Sequence, residues 1–260
     1  MRSVKRNLVL LLASAILLII WQVASIWLDS QILLPSLGPV FTTLLGLARE
    51  PVFTSNLLFT VLRALESFLI ILVSASILGV LAGRYSLLST FLRPFVTTLK
   101  AVPVMSIILL AFIWFSSGTV PLFSAFLMGF PVMFVQMEMG VKQLDSNLDE
   151  MCDLYGFSKK TKLVHFIVPS LVPYFVTGAK TALSMVWKVV IAAEVLTVPQ
   201  YGVGSRMQLA QMQLETDKVL SWTLIAIFLT AFGDLVFALI VEGVGALKHR
   251  LDARRVPCVS

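Results

Sequence analysis

Long apolar runs alternate with short polar or charged segments along most of the 260 residues. The runs are nearly free of charge and reach the roughly 20 residues that a helix needs to cross a bilayer. The pattern predicts an all-α, polytopic membrane protein with about six transmembrane helices, at residues 7–28, 56–83, 94–115, 120–140, 171–196 and 220–247. A shorter apolar segment, residues 40–47, is expected to lie at the outer surface because it is too short to cross.

Basic residues cluster at the ends of these runs and orient the chain. Of the 20 lysines and arginines, roughly 13 fall in predicted inner segments and about 3 in predicted outer ones, as the positive-inside rule requires. Both termini are therefore expected in the cytoplasm. The N-terminal run is too long for a signal-peptide core, so we expect an uncleaved first span. We divide the chain into a first helix with an outer linker (1–54), a five-helix core (55–247) and a basic tail (248–260).

Composition excludes several classes of protein. The chain is 58% hydrophobic and only 13% charged, more apolar surface than a soluble domain of this size can bury. The net charge of +6 does not indicate nucleic-acid binding, because no basic face with interleaved aromatic residues is present. Cys152 and Cys258 both fall in predicted cytoplasmic segments and lack a histidine at ligand spacing, so neither a disulfide nor a zinc site is expected.

One charged insert, residues 146–156, interrupts the apolar pattern between the fourth and fifth spans. Ser146 with Asp149 resembles a capping box, and Gly156 is a typical helix stop. Leu148, Met151, Cys152 and Tyr155 share one helical face, whereas Asp149, Glu150 and Asp153 lie elsewhere. A plain helical connector is one interpretation, but it would not need an apolar face. We therefore expect a short two-faced helix that docks onto a soluble partner.

Charged residues inside spans indicate a second candidate site. Lys180, Ser184 and Lys188 follow one another at intervals of four on one face of the fifth span, and intramembrane charges normally face protein or water. They border a translocation path, reach to the lipid headgroups, or are neutralised by an acidic residue: Glu66, Glu194 or Asp234. Arg63 and Glu66, three residues apart, are predicted to pair locally. Two small-residue pairs predict close helix packing: Gly79 with Gly83, and Gly178 with Ala182.

The insert resembles the cytoplasmic-loop signature of permease subunits of ATP-binding-cassette importers. That signature is Glu-Ala-Ala, three residues, Gly, nine residues, Ile-x-Leu-Pro. Here Glu150, Gly156 and Pro169 match it, Met-Cys replaces the two alanines, and Phe166 and Val168 replace the Ile and Leu. Further segments are similar to the taurine/nitrate/sulfonate branch of that family: Leu34-Pro35-Ser36, Arg93-Pro94, Pro103, Trp114-Phe115, Pro131, Trp187 to Val190, Ala192-Ala193-Glu194 and Gly202-Val203-Gly204.

The resemblance implies a type I importer permease fold in a prokaryotic inner membrane. It implies partners as well: two ATPase subunits, an extracytoplasmic substrate-binding protein and a second permease copy. ATP and Mg²⁺ would then be held by the ATPase subunits, with no cofactor in this chain. The implied ATPase-coupling residues are Leu148, Asp149, Glu150, Met151, Cys152, Asp153, Tyr155, Gly156 and Pro169. Candidate residues of the path are Lys180, Ser184, Lys188, Glu194 and Met105.

Two other classes of protein are weighed against this reading. A membrane-embedded enzyme would need a cluster of acid/base or metal-binding residues, and the intramembrane carboxylates are scattered over three helices. A channel or ion-coupled secondary transporter would not need a docking helix, and no inverted repeat of broken helices is evident. The sequence contains no Gly-rich phosphate loop with its lysine, so ATP hydrolysis is expected in a separate chain. The sequence does not identify the transported molecule, since the lysines inside the spans favour an anion and the carboxylates favour a cation.

Overall fold

The computed structural model describes residues 2–253, with side chains described for residues 8–243 except 10, 11 and 14. Within that part of the chain every regular element is a helix. The elements in chain order are α1 (Arg2–Leu28), α2 (Leu37–Leu47), α3 (Phe53–Arg84), α4 (Ser86–Ala101), α5 (Val104–Trp114), α6 (Val120–Lys142), α7 (Ser146–Leu154), α8 (Lys159–Lys162), a π-helical turn (Leu163–Ile167), α9 (Val168–Thr197), α10 (Val203–Met212) and α11 (Thr216–Ala253). Arg254, Arg255 and Cys258 of the predicted tail lie outside the described residues.

Length and composition support a polytopic membrane protein, as predicted. Three described helices could cross a bilayer on these grounds: α3, α6 and the Thr216–Gly243 part of α11. The pair α4 and α5 is a fourth candidate if it forms a single span. The other two predicted spans correspond to α1, with 27 residues, and α9, with 30 residues. At 1.5 Å per residue, α9 is about 45 Å long, which exceeds the thickness of the hydrocarbon core of a bilayer. This helix is therefore long enough to cross, although it carries charges.

The third predicted span, residues 94–115, is wrong as a single straight helix. The helix begins at Ser86, ends at Ala101 and continues from Val104 after a bend of 101°. Pro103 causes the break, because it lacks a backbone N–H and disfavours the helical conformation for the residue before it. Val102 is accordingly extended, with φ −70° and ψ 129°.

Helix α6 lies between α3 and α9 and forms the centre of the packed core. Phe134 and Met133 of α6 and Ile71 of α3 are almost completely buried. A Cβ atom added at Gly79 would lie 2.7 Å from the Met137 Cβ atom, and one at Gly178 would lie 2.8 Å from the Met133 Sδ atom. The predicted close packing at these glycines is confirmed, because only a hydrogen fits between the helices.

The outer linker is fixed to the first and the last long helices of the chain. Helix α2 covers residues 40–47, as the prediction of a short outer helix requires, and buries Val40 and Leu47. Thr43 donates a hydrogen bond of 2.7 Å to the Asp217 Oδ2 atom at the start of α11. Trp21 of α1 donates from its indole Nε1 atom to the Pro35 carbonyl at 3.0 Å. The linker is therefore part of the folded structure on the outer side.

Substitutions at two glycines test the packing of α3 on α6. Gly79→Ala places a methyl group against Met137, and overpacking of this kind costs about 1–3 kcal/mol. That cost outweighs a gain in helix propensity of about 1 kcal/mol. We expect a lower midpoint of thermal denaturation for the purified protein in detergent.

Gly46→Ala is the matched control, because nothing lies within 4 Å of its added Cβ atom. Its midpoint is expected to stay unchanged or to rise. A Gly79→Ala protein as stable as the Gly46→Ala protein would contradict the packing described here.

Candidate functional site

Helix α7 is closed at its N-terminus by Asp145 rather than by Ser146. The Asp145 Oδ1 atom accepts a hydrogen bond of 2.9 Å from the Asn147 N–H, and its backbone is extended. The predicted capping box at Ser146 and Asp149 is therefore wrong by one residue, since Ser146 is already the first residue of the helix. An acidic cap has a further advantage, because its negative charge lies at the positive end of the helix dipole.

The C-terminus of α7 ends as predicted at Gly156. This glycine has φ +67°, in the left-handed region. The Phe157 N–H donates to the Cys152 carbonyl and the Gly156 N–H donates to the Asp153 carbonyl. These two bonds form a Schellman motif, for which glycine is the preferred residue. Both ends of α7 are thus fixed by local hydrogen bonds.

The apolar side chains of α7 divide into a buried group and an exposed one. Cys152 is 5% exposed and faces the protein, whereas Leu148 and Met151 are each 42% exposed. Tyr155 is 74% exposed and Leu154 is 85% exposed. Sequence reasoning missed Leu154, although its position three residues after Met151 could have placed it beside the predicted face. The tip of α7 therefore presents two large apolar side chains that no described residue covers.

Two acidic residues of α7 attach the helix to α8. The Lys162 Nζ atom lies 2.8 Å from the Asp149 Oδ1 atom and 2.8 Å from the Asp153 Oδ1 atom. The hydrogen bond that Lys162 donates to Asp149 raises the pKa of Lys162, and the one to Asp153 raises it further. Because the folded-state pKa of Lys162 is raised, its contribution to stability is fully present below the ordinary lysine pKa, including neutral pH, and is lost as the pH rises through the raised pKa. Glu150, by contrast, is exposed and forms no ion pair among the described residues.

The segment after α7 joins it directly to α9. An apolar cleft of about 400 Å³ lies between α7 and the following turns, lined in part by Cys152, Phe157 and Phe166. The π-helical turn then runs into α9, where Pro169 occupies the first turn and needs no hydrogen-bond partner for its nitrogen. The connection from α7 to α9 is therefore short and hydrogen-bonded.

The predicted polar face of α9 is present and is largely uncovered by the residues whose side chains are described. Lys180 and Lys188 are exposed, Ser184 between them is half-buried, and the flanking residues Thr177 and Thr181 are also exposed. We call Thr177, Lys180, Thr181, Ser184 and Lys188 the α9 polar stripe. Met105 is 51% exposed on α5, and no contact in the structure ties it to the stripe.

Glu194 is not part of the stripe. Its side chain is completely buried, and its Oε1 atom lies 2.6 Å from the Arg63 Nη1 atom. It also accepts hydrogen bonds from the Thr60 hydroxyl at 2.9 Å and from the Gly204 N–H at 3.0 Å. The predicted local pair of Arg63 with Glu66 is therefore wrong, because a buried carboxylate 131 positions away attracts the guanidinium more strongly than an exposed one.

Arg63 and its neighbours hold the outer segments together. The guanidinium also donates to the Tyr201 carbonyl at 2.8 Å and to the Gly118 carbonyl at 3.1 Å. Asn56 accepts from the Gly202 N–H at 3.1 Å. A Cβ atom at Gly202 would lie 2.7 Å from the Glu194 carboxyl carbon, so the backbone can approach only as glycine. We call Asn56, Thr60, Arg63, Glu194, Gly202 and Gly204 the outer polar cluster.

The chain forms a bundle of long apolar helices, with a polar stripe on α9 and a capped helix at one end. These features define a subunit of a membrane transporter. Residues 75–245 match the protein family described as "Binding-protein-dependent transport system inner membrane component". The chain belongs to this family, and it is a multi-pass inner-membrane permease subunit of an ATP-driven importer. The family implies ATPase and substrate-binding-protein partners.

Characterised and named relatives support the same assignment. The taurine transport system permease protein of Escherichia coli is 28% identical over 244 residues, which cover 92% of this chain and 86% of the relative. A putative aliphatic sulfonates transport permease of Bacillus subtilis is 25% identical over 218 residues, covering 83% and 78%. A putative ABC transporter permease of Methanocaldococcus jannaschii is 25% identical over 217 residues, covering 81% of each chain. The chain belongs with the taurine, nitrate and sulfonate branch.

A double-mutant cycle tests the buried pair of the outer polar cluster. Arg63→Met or Glu194→Gln alone leaves one buried charge or polar group without its partner, which costs about 3–5 kcal/mol in buried pairs. The double variant removes both charges, so we expect it to be more stable than either single variant in thermal denaturation.

Glu215→Gln is the control, because its ion pair with Lys218 is only half-buried and pairs near the surface contribute less than about 1 kcal/mol. If the double variant loses as much stability as the two single variants together, Arg63 and Glu194 do not stabilise one another. The same conclusion follows if the single variants are as stable as the control.

Proposed function

We propose that this subunit forms the path for a small anion and receives the force of ATP binding through α7. The observation that carries the coupling proposal is the uncovered tip of α7, where Leu154 and the C-cap residue Tyr155 are more exposed than the other large apolar side chains, Leu148 and Met151. Exposed large apolar side chains beside a membrane indicate a docking surface. Two ATPase subunits would bind there, one on each of two permease copies, and would hold the ATP and Mg²⁺.

The structure of α7 suits a rigid coupling element. It is capped at both ends and tied to α8 by two ion pairs with Lys162, so it can move as a body. Its motion would pass through the π-helical turn to α9. Coupling requires an element whose arrangement both sites bias, and the continuous segment from α7 to the α9 polar stripe provides one. This chain itself would carry out no reaction.

The α9 polar stripe supports the proposal that two copies of the chain pair with one another. A lysine at the centre of a membrane helix costs about 2.5–3.5 kcal/mol on insertion scales, so it faces protein or water. Lys180 and Lys188 are exposed in the single chain. Pairing two copies about these stripes would enclose the lysines in a polar passage away from lipid.

The charge of the stripe supports an anionic substrate. Glu194 could have argued for a cation, but it is buried and paired with Arg63 on the outer side. The related permeases are named for taurine, aliphatic sulfonates and nitrate, which carry sulfonate or oxyanion groups. We therefore propose a small sulfonate-like anion, delivered by the extracytoplasmic binding protein.

Charged substitutions at the tip of α7 test the docking surface. Leu154→Glu with Tyr155→Glu removes the apolar contact and should reduce co-purification of the ATPase subunit about tenfold or more, since each 1.4 kcal/mol of lost binding is tenfold. ATP-driven uptake of radiolabelled taurine into proteoliposomes should fall in parallel.

Met212→Glu is the matched control, because Met212 is 66% exposed at the end of α10, on the opposite side of the membrane. ATPase co-purification should be unchanged in this variant. Full co-purification with the α7 variant would rule out this docking surface.

Replacement of Lys188 tests the path. Lys188→Met removes a charge from the α9 polar stripe and should reduce uptake of the labelled anion, while assembly with the ATPase subunits stays intact. Lys218→Met, which alters a half-buried lysine at the start of α11, is the control and should transport normally. Unchanged uptake in the Lys188→Met protein would remove Lys188 from the path.

A further inference from the structure

A separate polar cleft lies between α4 and the cytoplasmic end of α6. Its volume is about 230 Å³, and its polar lining consists of Ser89, Arg93, Thr97, Lys100, Glu138 and Lys142. None of the α9 polar stripe and none of the α7 residues lines it. The cleft has no part in the proposed docking or path, and we call it the α4–α6 cleft.

The cleft carries an excess of positive charge. Glu138 is its single acidic lining residue, and it accepts hydrogen bonds from Ser89 at 2.5 Å and from Lys142. Lys142 therefore balances Glu138. Arg93 and Lys100 remain, and neither forms an ion pair within the part of the chain whose side chains are described. Two lining cations thus have no ion-pair partner among the described side chains, and the lining carries three cations against one carboxylate.

Arg93 and Lys100 lie on the side of α4 that faces α6. Leu87, Phe91 and Phe95, spaced four residues apart, are exposed on one side of α4. Val96 lies between Arg93 and Lys100 on the other side, where it is buried in the core with Phe134 of α6. The helix is amphipathic, and its cationic side is held over the cleft by the packing of Val96.

We propose that the α4–α6 cleft binds a tetrahedral oxyanion through Arg93 and Lys100. A guanidinium matches two oxygens of such a group, and a lysine adds a point charge. Basic pockets between membrane helices on the cytoplasmic side bind anionic headgroups. The oxyanion is the phosphate of an inner-leaflet lipid or a free sulfate-like or sulfonate-like anion. This site goes beyond the proposed function, because it requires neither transport nor the α7 contact.

Binding to the purified permease–ATPase complex in nanodiscs tests the proposal in two arms. In the first, nanodiscs of equal parts phosphatidylglycerol and phosphatidylcholine are used, and native mass spectrometry counts the phosphatidylglycerol retained by the complex. In the second, phosphatidylcholine nanodiscs are titrated with radiolabelled sulfate. The test variant is Arg93→Gln with Lys100→Gln. The control is Arg84→Gln with Lys160→Gln, which removes the same charge from exposed positions outside the cleft.

The parent complex is expected to bind in at least one arm, and the cleft variant should bind about tenfold or more weakly there, the equivalent of 1.4 kcal/mol. The control and the charge-keeping variant Arg93→Lys with Lys100→Arg should retain binding. Loss in the first arm identifies a lipid headgroup, and loss in the second identifies a free anion. The proposal is overturned if the parent binds in neither arm, or if the cleft variant binds like the parent in both. These readouts do not depend on uptake, so they remain informative if the transport proposal fails.

Discussion

The buried contact between Arg63 and Glu194 sets the arrangement of the outer half of the bundle. It joins α3 to α9 directly, and its further hydrogen bonds reach the turn at Gly118 and the segment that leads into α10. The desolvated charges are tolerable because both Glu194 oxygens and two of the Arg63 guanidinium nitrogens have hydrogen-bond partners. The Gly-Val-Gly segment at residues 202–204 follows from this contact, because the backbone must pass directly over the Glu194 carboxylate. The outer ends of three helices are thereby held in one geometry.

The inner end of the bundle is organised differently. Helix α7 is fixed by its own caps and by Lys162. It follows α6 after the short segment 143–145 and leads to α9 through α8 and the π-helical turn. Helix α9 therefore connects a rigid outer cluster to a projecting inner helix, with the polar stripe in between. In this arrangement, movement imposed at α7 would act on the stripe while the outer ends remain held. The bend at Pro103 adds a further departure from a simple bundle, since α4 and α5 meet at 101°.

Local signals in the sequence predicted much of this structure. Gly156 as a helix stop, the glycines between α3, α6 and α9, and the short outer helix all follow from rules that act within a few residues. The contact of Arg63 with Glu194 could not be predicted in this way, because helical spacing relates only neighbours and suggested Glu66 instead. The cap of α7 was displaced by one residue, since Asp145 and Ser146 are both good capping residues. The exposure of Leu154 depends on how α7 sits on α8, which periodicity does not reveal.

Photo-crosslinking from the tip of α7 in native membranes tests the central claim most directly. A benzoylphenylalanine residue would replace Tyr155, and a second variant would carry it at Met212 on the outer side. If α7 is the coupling element, irradiation links the Tyr155 position to the ATPase subunit, whereas the Met212 position gives no such product. An assembled, ATP-hydrolysing complex that yields no ATPase adduct from position 155 would contradict the account.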